Sequence, residues 1–215
     1  MSPNGGGVGA AAFLPERRTI PNLQRAIHRC RGCELYRTAT QPVFGEGATK
    51  APIVFIGEQP GDEEDRQGHP FVGPAGKLLR RALQDAELDN REIYITNAVK
   101  HFKFEERGKR RIHKKPKASE VAACHVWLEA EIAAIHPKVI VCLGATATLA
   151  VLGRAYRLTE HRGTLVRHAW APAVTATIHP SAVLRAPEAE QRHEAYRQLV
   201  ADLIKVRHAA QTLAG

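Results

Sequence analysis

The chain has 215 residues, with 31 Lys and Arg against 22 Asp and Glu and a formal net charge of +9. That length implies one sizeable domain with enough interior for a hydrophobic core, and the positive excess suits a polyanionic partner without naming one. No apolar run approaches the roughly 20 residues of a membrane span and no secretory signal precedes the chain, so a cytoplasmic protein is expected rather than a membrane or secreted one.

Met1 to Ala12 is rich in Gly and Ala and shows no hydrophobic periodicity, so it cannot bury enough surface to order itself. Residues 1–18 are therefore expected to be a disordered tail. Ile20 to Arg29 reads as a short helix leading into a C-x-x-C turn at Cys30 and Cys33. Ala51 to Ile56 is a buried strand, Pro74 to Glu87 an amphipathic helix and Ile93 to Asn97 a second strand. Beyond a basic stretch, Ser119 to His136 reads as a helix with Ser119 as its N-cap. Val139 to Leu143 is a third strand, Gly144 to Leu152 a helix directly after it, Val174 to Ile178 a further strand, and Glu188 to His208 a closing helix. This alternation predicts an α/β fold over residues 19–210: a single-domain, three-layer α/β/α sandwich with a mainly parallel four-stranded sheet, followed by a short tail at 211–215. Ligands of such sheets bind beyond the carboxyl ends of the strands.

The cysteines are Cys30, Cys33, Cys124 and Cys142. A C-x-x-C pair presents two sulfurs from one turn, and two distant cysteines would pin other segments against it, which is how a metal centre is built. The spacing leaves alternatives open. Cys142 in the apolar run 139–143 and Cys124 in a helix also fit buried free thiols acting as small hydrophobes. A disulfide is disfavoured in a reducing compartment. The pattern is not a paired C-x-x-C zinc ribbon, so an iron–sulfur cluster competes with zinc.

Three polar segments fall at or near strand ends. Gly57 to Asp62, GEQPGD, combines glycines that allow close backbone approach with donors and acceptors on Glu58, Gln59 and Asp62. His179 to Arg185, HPSAVLR, follows the last strand, with Pro180 fixing the backbone and Ser181 able to cap a turn that carries Arg185. Between them, Lys100 to Lys117 holds nine Lys and Arg against two Glu. Charge at that density gains affinity for phosphate backbones by counterion release. As a solvated loop after a strand end, it would overhang the site.

Taken together, GEQPGD at 57–62, PFVGPAG at 70–76, TNAVKH at 96–101 and HPSAVLR at 179–185 resemble the motifs of the uracil-DNA glycosylase superfamily. The cysteine pattern is similar to its iron–sulfur branch, related to the family 4 enzymes, in which four cysteines hold a 4Fe-4S cluster. KRRIHK at Lys109 to Lys114 is similar to the loop that marks the UdgX group. The resemblance runs from about Cys30 to the C-terminal helix.

What the resemblance implies is excision of uracil from DNA, preferentially single-stranded, by a monomer. A base is reached only on a single strand or after it swings out into a pocket. Phe71 would stack on the uracil ring, Asn97 would hydrogen-bond its pairing edge, and Gln59 and His179 would contact the base, with His179 near the oxygen that gains negative charge. Glu58 would stabilise the sugar cation and Asp62 would support it. Lys109, Arg110, Arg111 and Lys114, with Arg185, would grip the phosphates. Cys30, Cys33, Cys124 and Cys142 would ligate a structural 4Fe-4S cluster. In the UdgX-like reading, His113 attacks the sugar carbon in place of water and leaves a covalent protein–DNA adduct. Its cationic neighbours Arg110, Arg111, Lys114 and Lys115 would keep it neutral. Two other readings remain: a multiple-turnover glycosylase that releases abasic DNA, and a non-catalytic iron–sulfur module that binds nucleic acid.

Overall fold

The computed structural model describes residues 9–213. A 3-10 turn at Ala10–Phe13 precedes helix α1 (Ile20–Ile27), which starts with Pro21 in its first turn, where a missing N–H is harmless. Then come strands β1 (Glu46–Gly47) and β2 (Ile53–Gly57), helices α2 (Asp62–Gln67) and α3 (Pro74–Asp85), and strand β3 (Ile93–Asn97). Strands β4 (Phe104–Arg107) and β5 (Arg110–His113) are followed by helix α4 (Ala118–Ile135), strand β6 (Val139–Leu143) and helices α5 (Gly144–Leu152) and α6 (Leu158–His161). Strands β7 (Val166–His168) and β8 (Ala171–Thr177) and helices α7 (Pro180–Arg185) and α8 (Ala189–Thr212) complete the domain.

The main sheet has the order β1-β3-β2-β6-β8-β7. The inner four strands are parallel and the two edges antiparallel. Helices on both faces leave the inner strands no polar side to show, which is why they read as continuous apolar runs. Within β2 the pleat still sorts side chains. Val54 and Ile56 face Trp127, Leu128 and Ile140 on one side, while Ile53 and Phe55 face Leu79, Leu83, Leu199 and Leu203 on the other. Registers Gly57 to Asn97 and Leu143 to Thr177 end the four parallel strands along one edge of the sheet, where the polar segments begin.

The expected α/β sandwich is present, but the sheet has six strands rather than four. The additions are two and three residues long, too short for periodicity to register. The basic stretch is a β-hairpin rather than a loop, with a turn at Gly108 and Lys109 in which Gly108 has φ 58°. Helix α4 is capped at Lys117, whose N–H is accepted by the Glu120 carboxylate at 2.6 Å, so Ser119 lies inside the first turn. The ordered chain also starts earlier than composition suggests. Ala10 is buried, and a Cβ on Gly32 would stand 2.3 Å from its Cβ. Residues 10–13 therefore pack on the C-x-x-C turn, while residues 1–8 of the expected tail lie outside the described residues. Helix α8 runs through Thr212, into the expected C-terminal tail. Among the described residues no helix is long and apolar enough to cross a membrane.

Candidate active site

Gly57 ends β2 at a point that admits no side chain: a Cβ there would lie 2.3 Å from Asn97 Oδ1 and 2.6 Å from Phe71 Cζ. The close approach brings Phe71 and Asn97 together at the strand ends. Phe71 adopts a left-handed conformation (φ 55°) and its carbonyl accepts from Arg80 at 2.7 Å. Its ring lies beside that of His179, centroids 6.0 Å apart. Asn97 is buried, and among the described residues its Oδ1 has no hydrogen-bond partner. A buried acceptor left unpaired costs about 1–3 kcal/mol, so this oxygen is suited to a donor brought by a ligand.

His179 caps α7. Its Nδ1 accepts from the Ser181 N–H at 3.1 Å and lies 2.8 Å from Ser181 Oγ, which in turn accepts from Arg185 at 2.9 Å. An amide nitrogen only donates, so Nδ1 is unprotonated and Nε2 of the neutral ring carries the hydrogen. Burial above all, then Arg185 and His113, pushes its pKa down to about 4. His179 is thus a neutral donor at neutral pH.

The hairpin delivers His113 to the same place. Its Nε2 lies 3.5 Å from Glu58 Oε1 and 2.9 Å from the Gln59 amide nitrogen. Backbone contacts fix that amide: its nitrogen donates to the carbonyls of Lys103 (3.2 Å) and Lys114 (2.9 Å), and its oxygen accepts from Lys103 N–H at 3.2 Å. Both hydrogens of that amide go to the two carbonyls, so His113 Nε2 faces an acceptor, the Glu58 carboxylate, rather than a donor from Gln59. The half-buried His113 is pushed below its ordinary range, first by burial and then by Arg185, while Glu58 pulls the other way. The expected direction holds; the cause is burial rather than the neighbouring loop cations. The other Glu58 oxygen accepts from Thr146 at the start of α5.

Several expected ligand contacts are internal ties instead. Gln59 fastens both ends of the hairpin. Arg111 bridges Asp62 and Asp65 and lies over the Phe104 ring, so neither it nor Asp62 is free for substrate. Lys114 pairs with Glu105, leaving Lys109 and Arg110 exposed at the hairpin tip. Lys100 and Lys103 of the basic run are also paired, with Glu131 and Glu120. Thr146 and Glu131 carry no motif signal, and Lys100, though within TNAVKH, reads only as part of the basic run. Glu131 is fully buried and accepts from Tyr94 Oη at 2.9 Å, Thr96 Oγ1 at 3.1 Å and Gly45 N–H at 3.1 Å, while Lys100 Nζ also donates to the Asn97 carbonyl at 2.8 Å. This pair braces the end of β3 from below.

Behind that brace, Cys30, Cys33 and Cys124 line one small cavity with Ala10, Lys100, His101 and Trp127. Trp127 Nε1–H donates to Cys30 Sγ at 3.2 Å and Lys100 N–H to Cys124 Sγ at 3.3 Å, contacts that suit thiolates. Cys142, expected as a fourth ligand, does not line it. It sits mid-strand between Ile56 and Ala176, wholly buried. Among the described residues no three His, Cys, Asp or Glu side chains could hold a single metal ion. A four-iron cluster places each ligand on a different iron and tolerates wider separation.

The fold and this constellation define a doubly wound α/β protein with its polar site at the carboxyl ends of the parallel strands. The chain belongs to the uracil DNA glycosylase superfamily, whose family model matches residues 44–204. It is similar to the type-4 uracil-DNA glycosylase of Archaeoglobus fulgidus, 36% identical over 199 residues that cover 86% of this chain and 93% of the relative. It is also similar to the type-4 uracil-DNA glycosylases of Thermotoga maritima (39% over 164 residues, 76% of this chain and 82% of the relative) and Sulfurisphaera tokodaii (34% over 179 residues, 79% and 77%).

Proposed function

We propose that the protein excises uracil from DNA, preferentially single-stranded, and is then joined through His113 to the resulting deoxyribose, as in the UdgX group. The observation that carries the proposal is the meeting of His113 Nε2 with the Glu58 carboxylate, 3.5 Å apart, at the strand ends. The unpaired Oδ1 of Asn97 suits the ring N–H of uracil, and the adjacent Phe71 edge suits a flat base. As the C1′–N1 bond breaks, its electron pair leaves with the base, where the His179 Nε2–H offers a hydrogen bond to the oxygen gaining charge. Glu58 stabilises the positive C1′. From the tautomer that keeps its hydrogen on Nδ1, His113 then forms the new C–N bond with the Nε2 lone pair, the Nδ1 proton is lost to solvent and the departing uracil takes up a proton, so atoms and charge balance.

Lys109, Arg110 and Arg185 are exposed around the site and suit phosphate contacts. Cys30, Cys33 and Cys124, which line one cavity, would hold a 4Fe-4S cluster, which would move no electrons in this reaction and would tie the C-x-x-C turn to α4. A monomer suffices, since every proposed residue comes from one chain.

A second reading has its own support: the curated relatives are named type-4 uracil-DNA glycosylases. In that case water replaces His113 and abasic DNA accumulates. Incubation with a uracil-bearing oligonucleotide followed by a denaturing gel separates the two. The proposal expects a heat- and detergent-resistant conjugate that stops at one equivalent. Product exceeding enzyme, with no conjugate, would establish the second.

A further inference from the structure

We propose that the cavity between α5 and the segment that follows it takes a base flanking the uracil, stacked on Tyr156, so that the strand is held at a second point. This rests on the excision reading above and adds a subsite to it. The cavity, of about 350 Å³, is lined by Ala145 and Leu149 of α5 and by Gly153, Arg154 and Tyr156 beyond it, a size typical of small-ligand pockets. It opens beside the catalytic constellation. Ala145 lies between Gly144, where a Cβ would stand 2.9 Å from His179 Cβ, and Thr146, whose hydroxyl donates to Glu58. Leu149 follows Thr146 by three residues, roughly 4.5 Å along the helix, so the cavity continues outward from the site.

The cavity walls suit a flat, apolar-faced ligand. Tyr156 is held from behind: its hydroxyl donates to the His161 carbonyl at 2.6 Å, and its ring lies beside that of His161, centroids 5.5 Å apart. A ring fixed in this way loses little freedom on binding. Leu149, 45% exposed, adds an apolar wall that the fold leaves unburied. A Cβ on Gly153 would meet nothing within 4 Å, so the cavity is open there.

Charge selects nucleic acid as the occupant. Residues 153–162 carry Arg154, Arg157 and Arg162 against Glu160. Arg157 pairs with Glu160 and Arg162 with Asp202, whereas Arg154, exposed at the cavity, makes no ion pair among the described residues. A cationic rim beside an aromatic platform is how single strands are held without sequence readout. Stacking there also favours a single strand over a duplex, in which neighbouring bases already cover each face.

The test measures binding of the full chain, by fluorescence anisotropy, to a single-stranded oligonucleotide whose uracil sugar carries a 2′-fluorine, which destabilises the sugar cation and blocks cleavage. A base-free spacer replaces, in turn, each of the two nucleotides on either side of the uracil. For the parent, one spacer position should weaken binding by about 5- to 150-fold, the worth of one stacked base. Tyr156→Ala should weaken binding to the complete strand by a similar factor and be indifferent to that spacer. Tyr156→Phe should keep the dependence of the parent, which guards against misreading a folding defect. Arg154→Ala should lower the log–log salt slope by about 0.7, one phosphate contact. Spacers without effect at every position, or a Tyr156→Ala chain as sensitive to the spacer as the parent, overturn the subsite. Failure of the parent to release uracil from the unmodified oligonucleotide overturns the excision reading instead, which is a different result.

Discussion

Replacing Arg111 by alanine removes the side chain that fastens the hairpin to α2, and the consequence can be worked from its two partners. Asp65 is fully buried and Arg111 itself is 15% exposed. Breaking a buried pair by deleting one partner costs about 3–5 kcal/mol. The lower end applies here, because Asp65 keeps the Thr40 N–H on both oxygens at 3.0 and 3.1 Å. Asp62 is 40% exposed, and an exposed pair adds about 0–1 kcal/mol. A loss of roughly 3 kcal/mol weakens docking of the hairpin by about two decades. Glu58, Asn97 and His179 ride on the main sheet, whereas His113 rides on the hairpin. Arg111→Ala should therefore slow adduct formation by at least about tenfold, while release of uracil stays near the parent rate. Arg111→Lys should fall between, since an ammonium cannot bridge two carboxylates as a guanidinium does. Single-turnover assays that quantify free uracil and crosslinked protein in the same sample test this. Equal loss of both activities, or unchanged crosslinking by a folded variant, would refute the reasoning.

Other outcomes follow from the same geometry. His113 is held below the 6.5 of a free imidazole, so adduct formation should be flat above pH 6.5 and fall about tenfold per pH unit only once the pH is below its lowered pKa, where the ring protonates; a midpoint above 6.5 in the pH profile would contradict it. Thr146→Val removes the hydroxyl that orients Glu58 and should slow uracil release by about tenfold with little change in melting temperature; release at the parent rate counts against that orienting role. Double replacement of Lys109 and Arg110 by alanine should lower the salt dependence of single-strand binding by about 1.4 in the log–log slope, two phosphate contacts' worth, whereas the same change at Arg111 should leave the slope untouched. Fluorescence titrations across a salt series measure both.

The parallel sheet was legible because β2, β3 and β6 are short apolar runs with helices on both faces, and their expected bounds differ from the structure by two residues at most. The edge strands were hidden by their brevity. The hairpin was hidden by its composition: Arg107 and Arg110 are paired across a turn whose charge suggests a solvated loop. Among site residues, motif letters brought Glu58, Phe71, Asn97, His179 and His113 to one place, as expected. Letters cannot say which way an amide or a guanidinium is turned. Gln59 and Arg111 were therefore expected on the ligand and are found holding the hairpin. Cysteine counting favoured Cys142 for the same reason, since only the strand register shows that it packs inside the sheet.

Peptide mass spectrometry of the chain after reaction with a uracil-containing oligonucleotide reaches the central claim most directly. The account predicts a deoxyribose remnant on His113, within the segment that joins Ile112 to Lys114, and free uracil in equal amount. His113→Ser should yield no such conjugate. An unmodified His113 alongside accumulating abasic DNA, or a remnant on another residue, would contradict it.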